Sequence, residues 1–184
     1  MRSIEFDEVC FSYPKTGRKV LDHVSFAIRP GEKVAVVGLN GSGKSTLIKL
    51  LLRFYELDSG VIRVNGVDIR EYPILELRKH FSAYFQDEQS YSFTLLENLT
   101  IADPDHPDCV AAAKQAFSAS GCDDLLQRAP KGLDTYLTRI FDENGMELSG
   151  GQYQKIALAR AFFRRHTALI LDEPSAALTD IEVE

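Results

Sequence analysis

Residues 38–46 read GLNGSGKST, and Gly38, Gly43, Lys44 and Ser45 fall at the fixed places of a G-x-x-x-x-G-K-[ST] pattern. Glycine there lets backbone N–H groups turn inward around phosphate oxygens, where a Cβ would stand in the way. Asn40, Gly41 and Ser42 complete the loop, and Thr46 follows Ser45 into a run with helical spacing. A helix starting at that point adds free N–H groups and the positive end of its dipole. Lys44 would reach the β- and γ-phosphates of a nucleotide, and the Ser45 hydroxyl would ligate Mg2+. The plain alternative is a glycine-rich turn with a surface lysine. The apolar VAVV before the loop and the helical pattern after it argue against that reading.

A matching pair of acids closes TALILDE (167–173). Asp172, at the end of an apolar strand pattern, is placed to hold Mg2+ through water, and Glu173 to orient an attacking water. An apolar run ending in two acids is weak alone. Joined to the loop, it reads as a P-loop NTPase of the two-acid kind.

A second glycine pair raises a different question. Ser149, Gly150, Gly151 and Gln152 stand directly before IALARAFF, so they open a helix whose first turn lies bare, as if against an anion. A simple N-cap would account for Ser149. It would not account for two glycines in a first turn, where each costs about 1 kcal/mol against alanine.

Elements must carry these residues. Residues 3–11 and 20–28 alternate as strands around a PKTG turn, and KVAVVG (33–38) reads as a short strand running into the loop. Residues 45–57 read as a helix, with Leu47, Leu50, Leu51 and Phe54 at helical spacing. GVIRVNGVDI (60–69) reads as a hairpin turning at Asn65-Gly66, and FSAYFQD (81–87) as a strand ending in a polar loop. From 88 to 163 the pattern is mostly helical, and 167–174 is a buried strand. The order predicts an α/β fold: a P-loop NTPase core with a partly parallel sheet, an antiparallel β flank and an inserted helical lobe. Core and flank fall at about 1–87 and 165–184, the lobe at about 88–164.

LSGGQ placed between a P-loop and an LILDE strand resembles the signature motif of ABC-type ATPase domains, and the resemblance runs from about residue 3 to the last residue. It implies that ATP is the nucleotide and that two domains pair head to tail, as a homodimer or heterodimer. Ser149 to Gln152 of one would then face the ATP in the other's P-loop. It also implies that Tyr13, in FSYP, stacks on adenine, the alternative being a strand aromatic packed in the flank. Gln86, in YFQD, matches the glutamine that joins core and lobe and senses Mg2+ and γ-phosphate. ENG (143–145) resembles the crossing loop of exporter-type members, though the run from Thr135 to Leu148 is longer than their usual spacing. YSFTLLENL (91–99) matches the segment that receives a transmembrane domain's coupling helix, the alternative being an ordinary helix start with core aromatics.

The chain also departs from the pattern. Thr179 stands where the family carries a D-loop aspartate, with Asp180 next to it. None of His23, His80, His106 or His166 matches the family's switch histidine, which follows a further strand. In related folds that strand lies between the two-acid strand and the P-loop strand, so the chain reads as a piece of a larger protein with unpaired apolar β edges.

Charge and composition fit this picture. The net charge is −6 without a basic face, against nucleic acid as the partner, and three scattered cysteines read as reduced thiols. No apolar run approaches the roughly 20 residues of a membrane span. The expectation is an exporter-type motor domain held at the cytoplasmic face of a membrane by transmembrane domains outside this chain. The alternatives are an ATP-dependent regulatory module with little turnover, or a soluble ABC-type ATPase not tied to transport.

Overall fold

The computed structural model describes residues 3–14, 17–85 and 91–173. The chain forms two compact units, residues 1–81 and 82–184.

The first unit is built on an antiparallel sheet. Strands β1 (Ile4–Ser12), β2 (Lys19–Ile28), β3 (Ser59–Val64) and β4 (Val67–Asp68) lie in the order β2-β1-β3-β4. Ile4 and Phe6 alternate inward from β1, and Phe6 stacks on Phe26 of β2 at 4.5 Å. A bulge then shifts the phase, with Glu8 at φ 49° and Gly60 opposite, where a Cβ would sit 2.3 Å from the Glu8 carbonyl. The shift buries Val9, Cys10 and Phe11 in succession. The expected hairpin is present: Asn65 (φ 57°) and Gly66 (φ 83°) join β3 to β4 with the two left-handed residues a type I′ turn needs.

Helix α1 (Lys44–Leu51) is shorter than its sequence pattern. Arg53 takes the left-handed conformation (φ 51°), its N–H donates to Leu50 O, and the Phe54 N–H donates to Lys49 O. That is a Schellman stop with arginine where glycine is usual, so the helix expected to reach residue 57 ends six residues earlier. Arg78, on α2 (Ile74–Lys79), donates to the Leu52 and Arg53 carbonyls beyond that end and covers the Phe54 ring at 4.7 Å.

The expected strand at 33–38 does not form. Residues 33–38 belong to no strand, and Val36 and Val37 are 52% and 91% exposed. A strand is made by its neighbour's hydrogen bonds, and no described strand runs beside this segment. The apolar sequence is that of a buried strand, without the ladder that would make it one.

The second unit is mostly helical. It contains all but the first residue of β5 (Phe81–Tyr84), then α3 (Leu95–Thr100), α4 (Cys109–Ala119), α5 (Asp123–Arg128), a 3-10 turn (Gly132–Asp134), α6 (Gly150–Phe163) and β6 (Ala168–Leu171). Strands β5 and β6 pair, and the N–H of Asp172, just past β6, donates to the carbonyl of Tyr84, the last residue of β5. The two strands therefore run parallel. Helix α6 is buried on two sides, which explains its run of alanines. Ile156, Ala159 and Phe163 pack with Leu99, Ala113 and Phe117, while Ala157, Leu158 and Ala161 pack with Tyr84, Leu169 and Leu171. The Ser82 hydroxyl donates to Ala161 O at 2.7 Å, tying β5 to this helix.

Candidate functional site

In the first unit the loop 38–46 closes on itself. Gly41 and Gly43 are left-handed (φ 79° and 99°), and the Ser42 N–H donates to Leu39 O. Lys44 arches back, its amine donating to Gly38 O at 2.9 Å and Leu39 O at 3.1 Å. The glycines are demanded by space as well as by φ. A Cβ at Gly38 would meet Ser42 Oγ at 2.7 Å, and one at Gly43 would meet Leu21 Cδ2 at 2.9 Å. Gly43 is the N-cap of α1 and supplies no side-chain cap, so the first-turn N–H groups have no side-chain acceptor at the cap. A loop whose glycines keep Cβ atoms out of the way and whose helix start lacks a cap fits an incoming phosphate. Ser45 beside the loop carries a hard oxygen donor of the kind Mg2+ prefers.

Tyr13 is brought to this loop. Its hydroxyl lies 3.1 Å from Oγ1 of buried Thr46, and its ring packs edge-on against Phe11 (5.0 Å) and Tyr55 (5.3 Å). The flank-packing role and proximity to the candidate phosphate loop thus hold together.

In the second unit the SGGQ segment forms a complete capping box. Ser149 Oγ accepts from the Gln152 N–H at 3.4 Å, and Gln152 Oε1 accepts from the Ser149 N–H at 2.9 Å. The fold therefore accounts for Ser149 and Gln152. It does not account for the residues between them. Beyond its own helix turn, a Cβ placed on Gly150 or Gly151 would meet no atom of the described residues within 4 Å, neither has a left-handed φ, and both are exposed. Gly145 of ENG is the opposite case: its Cβ would lie 1.9 Å from Thr138 O, so glycine there serves the loop itself.

At the end of β6, Glu173 stands exposed with φ 50°, an unfavourable conformation for a residue with a side chain. Asp172 beside it is anchored by its N–H to Tyr84 O. Gln86, Thr179 and Asp180 lie outside the described residues. Sequence reasoning missed the Gln152 half of the capping box, although S-x-x-Q before an apolar run is its usual signal.

Comparison with known proteins agrees with these features. The profile of the ABC transporter family matches residues 21–176. The chain is 42% identical over 181 residues to the subtilin transport ATP-binding protein SpaT of Bacillus subtilis, covering 98% of this chain and 29% of that protein. It is 41% identical over 184 residues to the ATP-dependent lipid A-core flippase of Pseudomonas fluorescens, again covering 98% of this chain and 29% of the relative. Among solved structures, a bacterial Atm1-family ABC exporter with ATP bound superposes with a TM-score of 0.84 at 32% identity, over 97% of this chain and 30% of that one. The chain thus spans under a third of the length of these relatives. With the profile covering most of its length, the chain belongs to the ABC transporter family, as one of its ATPase domains.

Proposed function

We propose that this chain binds and hydrolyses ATP to drive export across a membrane, by pairing head to tail with a second nucleotide-binding domain. The observation that carries the reading is the glycine pair at 150–151. Nothing among the described residues requires glycine there, and glycine in a first turn costs stability. A reason outside the chain is therefore needed, and a phosphate approaching the bare helix start supplies one.

In this reading Gly38 to Thr46 cradle the phosphates of one ATP, Lys44 neutralises charge on the β- and γ-oxygens, and Tyr13 lies against the adenine. Ser45, Asp172 and Gln86 would hold Mg2+, which supplies further charge neutralisation on the phosphates. Glu173 orients the attacking water and takes its proton, help of a kind worth about 10²–10⁴-fold in rate. Ser149 to Gln152 face the partner domain's ATP. The proposed division of labour gives residues near 88–164 the lobe that presents SGGQ, and residues 91–99 the surface for a transmembrane domain. The lipid A-core flippase and subtilin transporter similarities support export. No described helix is long and apolar enough to cross a membrane, so attachment at the cytoplasmic face would come from transmembrane domains elsewhere.

The test is the solution mass of the Glu173→Gln chain with and without Mg-ATP. A monomer that becomes a dimer only with Mg-ATP supports the reading. A chain that binds ATP and stays monomeric at every concentration tried overturns head-to-tail pairing for this chain and favours an ATP-binding module without a closed dimer.

A further inference from the structure

Cys10 has no part in the nucleotide chemistry, yet it sits in a chemically unusual place. The β1–β2 ladder shifts register on both sides of the Val9–Val24 pair, and His23 takes a left-handed φ of 50°. The two irregular strands turn three unlike donors toward each other. One sulfur of Cys10, one carboxylate oxygen of Asp22 and one ring nitrogen of His23 lie within 4.8 Å of one another. Asp22 Oδ1 is 4.0 Å from Cys10 Sγ and 2.7 Å from His23 Nδ1, and the His23 backbone N–H donates to Cys10 Sγ at 3.2 Å.

The geometry points to a binding site for a borderline-soft divalent cation of the zinc type, held by Cys10, Asp22 and His23. Thiolate, imidazole and carboxylate together select zinc or cobalt over Mg2+ or Ca2+, which prefer oxygen alone. Bonds of about 2.0–2.3 Å to a tetrahedral ion set ligand atoms roughly 3–4 Å apart, so small side-chain adjustments would close the set. Cys10 is 5% exposed and fixed by the sheet, while Asp22 and His23 have side chains 65% and 63% exposed. An ion can therefore enter from solvent onto a rigid sulfur without opening the core.

A cation already neutralises this spot. The Lys19 ammonium pairs with Asp22, and its charge is also favoured by Cys10 and Asp58. Asp58 is near because its backbone N–H donates to Cys10 O at 3.0 Å. The competing reading is thus a surface ion pair with Lys19 as its counterion. The two readings differ in one respect: a metal must displace the lysine, and removing the lysine must help the metal. A bound ion would fasten β1 to β2 beside two contacts of the phosphate loop, Tyr13 and Leu21.

The experiment titrates Co2+ into the full chain in excess Mg2+, followed by absorption, with Zn2+ as competitor. The expected result is one Co2+ per chain with a thiolate-to-cobalt charge-transfer band, displaced by Zn2+. Cys10→Ser removes the band, His23→Ala weakens binding roughly tenfold or more, and Lys19→Met strengthens it several-fold. Cys109→Ser and Cys122→Ser leave the band in place. His23 and Lys19 are surface residues, so their variants report on binding even if Cys10→Ser disturbs the sheet. Absence of a thiolate band in the wild-type chain, or a band that survives Cys10→Ser, overturns the assignment. So does affinity unmoved by both His23→Ala and Lys19→Met.

Discussion

Arg160 donates from Nε to the Asn98 carbonyl at 2.9 Å and from Nη2 to Asn98 Oδ1 at 3.3 Å. Its guanidinium also lies over the Tyr91 ring, 4.8 Å from the centroid. Asn98, 1% exposed, turns its amide the other way and donates to the carbonyls of Tyr91, Phe93 and Thr94. The helix opened by SGGQ is thereby hydrogen-bonded to α3 and, through the Asn98 amide and the Tyr91 ring, linked to the YSFT segment leading into it. Asn98→Ala removes these three donations and the side-chain acceptor of Arg160, although Thr94 O keeps the Asn98 N–H and Phe93 O keeps the Leu137 N–H. It should cost about 1–3 kcal/mol in urea unfolding. A double-mutant cycle with Arg160→Ala should show a coupling of about 0.5 kcal/mol or more. Additive effects would mean that the two residues stabilise the unit independently and the latch carries nothing between helices.

Gly151→Ala separates folding from function. With no atom of the described residues within 4 Å of the added Cβ outside the helix's own turn, and no left-handed φ, the substitution gains helix propensity, about 0.5–1 kcal/mol after allowing for its place in the first turn. The chain should melt higher while ATP-dependent dimerisation and hydrolysis fall. A destabilised variant would show that glycine serves the chain's own packing, and full activity would show that nothing approaches the helix start.

Much of this was legible in the sequence because it depends on local chemistry. The phosphate loop, the Asn65-Gly66 turn and the SGGQ helix start each rest on a few adjacent residues whose conformation is set by glycine, asparagine or serine. Failures came where the deciding partner is distant. The run at 33–38 has a strand's composition but no described neighbour, so its valines lie exposed. The stop after α1 is made by Arg53 in a conformation that its sequence does not advertise. The Arg160–Asn98 contact and the Cys10 cluster join residues 62 and 12 positions apart, and neither has a motif.

The acid side of the pH profile should show the Asp103–Arg165 pair. Arg165 grips both Asp103 oxygens at 2.6 and 2.7 Å and donates its N–H to the same carboxylate, tying the turn after α3 to the end of α6. The guanidinium holds the Asp103 carboxyl below its usual value. A carboxyl with a depressed folded value stabilises the fold fully above its unfolded value near 4, and that contribution is lost as pH falls through the folded value. The wild-type chain should therefore lose more stability than Asp103→Asn between about pH 5 and 2. Parallel melting curves across that window would remove the pair from any stabilising role.

Lys44 and Glu173 should fail in different ways. Lys44 bonds only to loop carbonyls in its described contacts, so Lys44→Ala should leave the melting temperature nearly unchanged and weaken nucleotide binding roughly tenfold or more. Glu173→Gln should keep binding while hydrolysis falls by about 10²–10⁴. Its left-handed φ survives the substitution, so stability should not move. Equal loss of binding in both variants would remove Glu173 from the water-orienting role.

Tyr13 offers a choice between its hydroxyl and its ring. Tyr13→Phe deletes the 3.1 Å contact with Thr46 Oγ1 but keeps the edge-on packing against Phe11 and Tyr55. It should cost about 1 kcal/mol of stability, the worth of one part-buried hydrogen bond, and leave nucleotide affinity intact. Tyr13→Leu keeps bulk but loses the aromatic face, worth about 0.5–1.5 kcal/mol in a stacked pair. If the ring lies on adenine, Leu weakens binding of ATP by several-fold and spares binding of inorganic triphosphate, which has no base to stack. Equal weakening of both ligands would mean that Tyr13 acts only by bracing the phosphate loop through Thr46, as a packed strand aromatic would.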